Sequence, residues 1–218
     1  MKLNGVIFDL DGTLIDSMYI WNDLSYDLLC QNGIVPRDDL RDKVSTMYLE
    51  ESSRYVIEEY GLPCTVEEVN RYINDRVEHF YCCEVKPKQD ILPFLERLKA
   101  AGVPMCVATA TERKLAVPAL EHNGMLGYFS EILTCREIGQ NKNDPLIFEE
   151  ALNRLGTARE STAVFEDSLH AVTTAKAAGF PAFTIFDESS ARHKEKLMAL
   201  SDRFFYRYAE LDGVFDNL

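Results

Sequence analysis

Strand-like apolar runs that alternate with helix-like segments constrain the fold of this sequence more than any other feature. Four such runs follow one another, at residues 105–110, 131–135, 162–167 and 181–186. Amphipathic segments lie around them and end at Gly102, Gly156 and Gly179, and a glycine just past a helix is a typical stop signal. This alternation is typical of right-handed βαβ units, so we predict an α/β fold, a parallel sheet with helices on both faces.

The segment that follows the first predicted strand, at residues 3–10, has helical periodicity and no convincing strand. Thr65 and Glu68 form a capping-box pattern before one helix. Asp16 and Ser17 are good N-cap residues for another, whose apolar stripe is predicted at Met18, Trp21, Leu24 and Leu28. We therefore predict two domains, an α/β core of residues 1–15 and 88–218 and an inserted, all-helical domain of residues 16–87.

The charge balance excludes one broad class of partner. The 218 residues include 23 basic and 36 acidic side chains, a formal net charge of −13. Because nucleic-acid phosphates attract positive charge, we expect no nucleic-acid partner. No apolar run approaches the roughly 18 residues of a membrane span, and the N-terminal run is too short for a secretory signal. We expect a cytoplasmic globular protein that has no membrane partner.

The cysteines give no sign of a metal site or of a disulfide framework. None of the six shows C-x-x-C spacing, so they read as ordinary core or surface thiols. Cys82 and Cys83 are adjacent, which is a poor geometry for pairing with each other.

The strongest chemical signal is a pair of aspartates at the end of the first predicted strand. Asp9 and Asp11 alternate along the chain and would point to the same side, in the crevice where α/β sheets bind ligands. Two carboxylates there repel each other unless a cation or proton is shared. An EF-hand loop is excluded, because Gly12 stands at position 4 rather than 6. A plain acidic turn is the alternative reading.

A second acidic pair, Glu166 and Asp167, ends another predicted strand. If Asp167 lies beside Asp9 and Asp11, the result is an all-oxygen site of the kind that suits Mg²⁺. The alternative is that Asp167 only caps the following helix.

Two further residues fit a site for phosphoryl transfer. Thr109 ends a predicted strand and offers a hydroxyl to a phosphate oxygen, and Lys142 lies in a loop before a helix, where an ammonium can neutralise phosphate. Each is ordinary when taken alone. Their placement at successive strand ends is what favours a role in binding phosphate.

These four elements, in this order, resemble the motifs of the haloacid-dehalogenase-like hydrolase superfamily, in the branch with an inserted helical cap, and within it the β-phosphoglucomutase-like phosphatases. The resemblance covers essentially the whole chain. The first motif matches residues 9–13, the second Thr109, the third Lys142 with Pro145 after it, and the fourth residues 166–168. The resemblance implies a Rossmann-like core.

The resemblance also implies a role for each matched residue. Asp9 would attack phosphorus and form an aspartyl-phosphate, and Asp11 would act first as acid and then as base. Mg²⁺ would be held by Asp9, the carbonyl of Asp11 and Asp167, with Glu166 at or just outside its ligands. The equatorial phosphate oxygens would be held by Thr109, the N–H of Ala110 and Lys142.

Two departures from the mutase pattern favour a phosphatase. Trp21 stands where mutases of this branch carry a histidine, and the loop of residues 44–48 lacks the Lys or Arg that would grip a second phosphate. Motif three also departs, with Asn143 and Leu146 where Pro and Asp are frequent. We expect an apolar lid over Asp9 formed by Tyr19, Trp21, Met47 and Tyr48. The alternative is that Trp21 and Met18 pack inside the helical domain.

The sequence is therefore interpreted as a Mg²⁺-dependent phosphatase that hydrolyses a small phosphorylated metabolite, a phosphomonoester, and acts as a monomer or weak homo-oligomer. Two alternatives stay open: a sugar phosphomutase of the β-phosphoglucomutase type, and a non-catalytic binding module on the same fold. The presence of all five matched polar residues argues against the second alternative: Asp9, Asp11, Thr109, Lys142 and Asp167.

Overall fold

A computed structural model describes residues 3–44, 47 and 49–212 of the chain. It divides into two compact units, one formed by Met1–Ser17 with Val85–Leu218 and the other by Met18–Glu84. Within the residues described, no helix combines the length and the apolar character needed to cross a bilayer.

The first unit is built on a parallel sheet of six strands in the order β5-β4-β1-β6-β7-β8. Its strands are β1 (Gly5–Phe8), β4 (Met105–Thr109), β5 (Glu131–Thr134), β6 (Thr162–Glu166), β7 (Ala182–Ile185) and β8 (Arg203–Phe205). Two short antiparallel strands, β2 (Ile15–Asp16) and β3 (Lys86–Pro87), pair at the two ends of the helical insertion. The five predicted long strands are confirmed, and β8 was not predicted.

Helices cover both faces of this sheet. They are α5 (Ile91–Ala100), α6 (Arg113–His122), α7 (Cys135–Ile138), α8 (Leu146–Leu155), α9 (Leu169–Ala177) and α10 (Lys194–Leu200), with 3₁₀ turns at Leu126–Tyr128, Arg159–Ser161, Glu188–His193 and Tyr208–Leu211. Successive side chains along β1 point to opposite faces of the sheet. Ile7 joins the apolar cluster that contains Phe148 of α8, whereas the ring centroid of Phe8 lies 6.3 Å from that of Phe94 in α5. This confirms the predicted α/β fold.

The order of the strands determines where a site can form. The chain passes from β1 to β4 on one side and later to β6 on the other, so β1 marks the point at which the strand order reverses. In open parallel sheets the crevice beyond the carboxyl ends of the strands at this point binds ligands. Asp9 follows β1, Thr109 ends β4 and Asp167 follows β6, so three predicted site residues share this edge.

The second unit contains α1 (Ile20–Gln31), α2 (Leu40–Val44), α3 (Leu49–Tyr60) and α4 (Val66–Cys83), and its described residues form no strand. The predicted capping box of α4 is confirmed, because Glu68 N donates to Thr65 Oγ1 at 3.2 Å and Thr65 N donates to Glu68 Oε2 at 2.8 Å. Its apolar face is buried as predicted, at Val69, Ile73, Val77 and Phe80.

The prediction for α1 was wrong in two respects. Tyr19 occupies the N-cap position and no side chain caps the helix, because the Ser17 hydroxyl instead donates to Asp11. Leu24 and Leu28 of the predicted apolar stripe are buried, but Trp21 is 47% exposed, so it does not pack inside the helical unit. The buried apolar residues of the helix are Ile20, Leu24, Leu28 and Leu29.

Candidate active site

The turn after β1 presents two aspartates in different environments. Asp9 continues the strand, because its N–H donates to Phe165 O at 2.9 Å, and its side chain is buried. The chain then turns back, with Leu14 N donating to Leu10 O at 2.8 Å, and Gly12 adopts a φ of 78°. A residue with a side chain is strained at that angle, whereas glycine adopts it freely. Asp11, within this turn, is half-buried.

Asp9 shares a buried ammonium with Glu166. Lys142, in the turn before α8, is only 4% exposed, and its Nζ donates to Asp9 Oδ1 and, at 2.6 Å, to Glu166 Oε1. The second oxygen of Glu166 accepts three more hydrogen bonds, from Asp167 N and Ser168 N, both at 3.1 Å, and from Ser168 Oγ at 2.9 Å. Glu166 therefore anchors both Lys142 and the turn that carries Asp167.

Three carboxylates meet at this point. Asp9, Glu166 and Asp167 each place an oxygen within 4.8 Å of the others, and all three residues are buried. Lys142 supplies one ammonium beside three carboxyl groups, and it contacts only Asp9 and Glu166. No hydrogen bond or ion pair to the Asp167 carboxylate is found among the described residues, so the excess negative charge lies at the Asp9–Asp167 side of the cluster.

The pKa values report the same imbalance. Burial raises the pKa of Asp9 to about 8; Lys142 counteracts this, and the charge of Glu166 adds to it. Burial, followed by repulsion from Glu166 and Asp9, raises the pKa of Asp167 well above its ordinary value. Burial opposes the charge on Lys142, but Asp9 and Glu166 still raise its pKa, so it stays an ammonium. The cluster is thus short of positive charge.

Two hydroxyl groups bind the carboxylate of Asp11. Ser17 Oγ donates to Asp11 Oδ1 at 2.7 Å, and Thr111 Oγ1 donates to Asp11 Oδ2 at 2.5 Å. Neither hydroxyl was predicted to serve Asp11. Thr111 lies two residues after Thr109 in a strand-end segment, and that position is the only sequence signal that pointed to it.

Thr109 is fully buried at the end of β4, and its Oγ1 accepts a hydrogen bond of 3.0 Å from Thr111 N. This bond shapes the turn that carries the exposed Ala110 and the Thr111 hydroxyl. Thr109 therefore contributes to the placement of Asp11 as well as standing at the same sheet edge as Asp9.

The predicted lid residues belong to the helical unit. Tyr19 is 48% exposed and packs edge-on against Phe80, with ring centroids 5.4 Å apart. Trp21 is exposed and Met47 is half-buried. Tyr48 lies outside the described residues. The expectation that these side chains face Asp9 stays a prediction.

A second ion pair next to the site was not predicted. Lys88 Nζ lies 2.5 Å from Asp187 Oδ2 and 3.6 Å from Asp16 Oδ1. Asp187 follows β7, the strand next to β6, and its charge is one of those that raise the pKa of Asp167. An acid directly after a predicted strand was the available signal for Asp187.

Comparison with known proteins gives the family. A family model described as haloacid dehalogenase-like hydrolase matches residues 6–185, a range that includes all the site residues above except Asp187. The chain belongs to this family. The resemblance inferred from the four motifs is thereby confirmed.

Curated relatives that the chain matches include phosphatases. The chain is 31% identical over 183 residues to a bifunctional riboflavin kinase/FMN phosphatase of Arabidopsis thaliana, covering 80% of this chain but only 46% of the plant protein. It is 24% identical over 177 residues to a phosphorylated carbohydrates phosphatase of Thermotoga maritima, covering 81% of this chain and 82% of that protein.

Solved structures show the same fold. A putative β-phosphoglucomutase from Thermotoga maritima superposes with a TM-score of 0.86 over 100% of both chains, at 22% sequence identity. At this identity the similarity concerns the fold alone. It supports the α/β core with an inserted helical unit.

Proposed function

We propose that this protein is a Mg²⁺-dependent phosphatase that hydrolyses a phosphomonoester of a small metabolite through an aspartyl-phosphate at Asp9. The observation that carries the proposal is the buried contact of Lys142 with both Asp9 and Glu166, beside an Asp167 that has no positive partner among the described residues. The names of the curated relatives, an FMN phosphatase and a phosphorylated carbohydrates phosphatase, support the reaction class.

Asp9 is suited to be the nucleophile. The strand fixes its backbone, and Lys142 binds one of its carboxylate oxygens, so the side chain has a defined direction. Attack by an Asp9 oxygen forms the bond to phosphorus as the ester P–O bond breaks. A water molecule then attacks the same phosphorus and releases Asp9. This covalent route divides one difficult transfer into two easier ones.

Asp11 is suited to be the acid and base. The Ser17 and Thr111 hydroxyls hold its two oxygens, so its carboxyl group is oriented before any substrate arrives. In the first step Asp11 gives a proton to the leaving alkoxide, and in the second it takes one from the attacking water. Geometry of this kind is the first requirement for general acid–base catalysis.

The residues present fit a magnesium ion. The donors are buried carboxylate oxygens, which are the ligands Mg²⁺ prefers, and the cluster has more negative than positive charge. Asp9, Asp167 and the carbonyl of Asp11 would hold the ion. Glu166 is proposed to position Lys142 rather than to bind the metal, because both its oxygens already accept hydrogen bonds. When bound, Mg²⁺ supplies the positive charge that lets a carboxylate approach a phosphate.

The transferred phosphoryl group is proposed to be held by Thr109, the N–H of Ala110 and Lys142. These groups would meet the equatorial oxygens, where the charge of the transition state lies. The proposal also includes a division of labour between the units. A core of residues 1–15 and 88–218 would carry the chemistry, and a cap of residues 16–87 would select the leaving group, with Tyr19, Trp21, Met47 and Tyr48 over Asp9.

A phosphomutase is the second candidate, since the similar Thermotoga maritima structure is titled a putative β-phosphoglucomutase. A mutase must hold a second phosphate. Trp21 at the histidine position and the absence of Lys and Arg from residues 44–48 argue against it.

The test is phosphate release from a panel of phosphomonoesters, including p-nitrophenyl phosphate, with Mg²⁺ and with EDTA. We expect release that needs Mg²⁺ and that is abolished by Asp9→Asn. Asp90→Asn, a substitution at a half-buried aspartate outside the site, should leave it intact. Turnover only in the presence of a sugar bisphosphate would establish the mutase instead. No release from any ester, with Mg²⁺ still bound, would favour the non-catalytic module.

A further inference from the structure

A second cluster of metal-binding side chains lies far along the chain from the carboxylates, at the C-terminal end of α4. His79, Cys82 and Cys83 each place one ligand atom within 4.8 Å of the other two. The spacing puts the residues one turn apart on a helix, where positions i, i+3 and i+4 share a face. The two cysteines therefore lie beside an imidazole, an environment that the sequence interpretation as ordinary thiols did not foresee.

We infer that this cluster is a binding site for a thiophilic divalent cation, Zn²⁺, separate from the proposed Mg²⁺ site and independent of the proposed function. Two thiolates and an imidazole are soft or borderline donors, which suit Zn²⁺ and not Mg²⁺. The chain would thus sort two metals by ligand chemistry, with carboxylates in one unit and sulfur and nitrogen in the other.

The distances are compatible with a tetrahedral ion. With Zn–S near 2.3 Å and Zn–N near 2.0–2.1 Å, neighbouring ligand atoms lie about 3.5–3.8 Å apart. Cys82 Sγ and Cys83 Sγ are now 2.8 Å apart, so binding requires them to separate by about 1 Å. Cys83 is exposed and Cys82 half-buried, so rotation of the side chains can provide this movement. Three protein ligands leave the fourth position to water.

Two neighbouring features favour a cation here. Glu84 Oε1 lies 3.1 Å from His79 Nε2, and its other oxygen is bound by Arg76 at 2.9 Å. A carboxylate against one ring nitrogen orients the imidazole and makes the other nitrogen a better ligand. The site also lies at the end of an 18-residue helix, where the last carbonyls carry partial negative charge.

Binding is expected to release protons, because each thiol must become a thiolate to hold the metal. The Cys82 and Cys83 sulfurs lie in hydrogen-bonding contact, and an incoming cation would take the place of the proton between them. Zinc loading should be accompanied by acidification of a weakly buffered solution.

The experiment is titration of the full-length, reduced protein with Cd²⁺ in excess Mg²⁺, followed by the sulfur-to-cadmium charge-transfer absorption in the ultraviolet. Excess Mg²⁺ competes with Cd²⁺ for carboxylates, and carboxylates give no such band in any case. We expect one Cd²⁺ per chain, displaced by Zn²⁺. The double variant Cys82→Ser/Cys83→Ser should bind Cd²⁺ more than about 100-fold more weakly, a larger loss than removing a residue that only hydrogen-bonds a metal ligand. His79→Gln should also weaken Cd²⁺ binding.

Matched controls are Cys30→Ser, in the same unit, and Cys135→Ser, whose thiol feels the charges of Asp9 and Lys142. Both should bind Cd²⁺ as the parent protein does. Circular dichroism checks that each variant retains its helices. The inference is overturned if the double variant keeps its helices and binds Cd²⁺ as tightly as the parent, if either control removes the band, or if Zn²⁺ fails to displace Cd²⁺.

Discussion

Removing the charge of Lys142 is the sharpest structural test of the buried cluster. In Lys142→Met, a side chain of similar length replaces the ammonium that binds Asp9 and Glu166. Both partners are almost fully buried, and breaking such a pair by deleting one member costs about 3–5 kcal/mol, because the other charge is left uncompensated. We expect the free energy of unfolding in EDTA at neutral pH to fall by this amount.

A double-mutant cycle separates this electrostatic cost from lost packing. Adding Glu166→Gln to Lys142→Met removes much of the charge that the ammonium balanced. The loss in free energy of unfolding of the double variant should therefore be smaller than the sum of the two single losses, by at least about 1 kcal/mol, within the range found for contacting residues. Lys196→Met, at an exposed lysine of α10, is the control and should change stability by less than about 0.5 kcal/mol.

The assay is urea denaturation followed by two signals. Far-ultraviolet circular dichroism reports the whole chain, whereas fluorescence reports the helical unit, because Trp21 is the single tryptophan. Coincident transitions justify a two-state free energy. The reasoning is refuted if Lys142→Met loses less than about 1 kcal/mol, or if the cycle shows simple additivity.

Three further predictions concern neighbouring groups. Asp167→Asn should stabilise the metal-free protein, because it removes a buried carboxyl group that is repelled by its neighbours. It should also weaken the stabilisation by Mg²⁺, which in the parent protein is about 2.7 kcal/mol at 100 times Kd. Denaturation with and without Mg²⁺ measures both effects. Thr111→Val removes the 2.5 Å hydrogen bond to Asp11, which contributes about 1.5–3 kcal/mol. We therefore expect kcat to fall about 10-fold or more with little change in KM. An unchanged kcat would contradict the role of Asp11. Burial opposes ionisation of Asp187, yet Lys88 lowers its pKa below the ordinary value of 3.8. The stability that the ion pair contributes is therefore present above about pH 4 and lost as pH falls through the lowered pKa. The parent protein should have a higher free energy of unfolding than Asp187→Asn at pH 7, and this difference should disappear in acid.

Much of the fold could be predicted because local pattern and global packing agree in the core. Met105–Thr109 is a short apolar run that follows Gly102 and Pro104 and ends at a threonine, and the capping box at Thr65 is a purely local signal. The strand β8 (Arg203–Phe205) has only three residues and begins with an exposed arginine, so it does not stand out in the sequence. It forms because its edge position pairs it with β7.

The residues of the site could be predicted from the sequence, but the hydrogen bonds and ion pairs between them could not. Asp9, Lys142 and Asp167 follow from strand ends and motif order, but no periodicity shows that one ammonium lies between two carboxylates. The Ser17 hydroxyl misled the sequence interpretation, because a serine before a helix favours capping, whereas Asp11 competes for the same hydroxyl. Contacts between residues distant along the chain decide such cases.

Helix α1 shows the same limit on the other unit. Helical spacing allows Leu24 to share a face with Trp21, three residues before it, or with Ile20, four residues before it. The structure buries Ile20 and leaves Trp21 exposed, and packing against α2, α3 and α4 makes that choice.

The central claim is that Asp9 carries the phosphoryl group, and borohydride trapping tests it most directly. Borohydride reduces an acyl-phosphate at an aspartate to homoserine, which peptide mass spectrometry locates in the chain. With a phosphomonoester that the protein hydrolyses, and Mg²⁺, we predict homoserine at position 9, with none in EDTA. Phosphate release without any homoserine, or homoserine at Asp11 or Asp167 instead, would contradict the account.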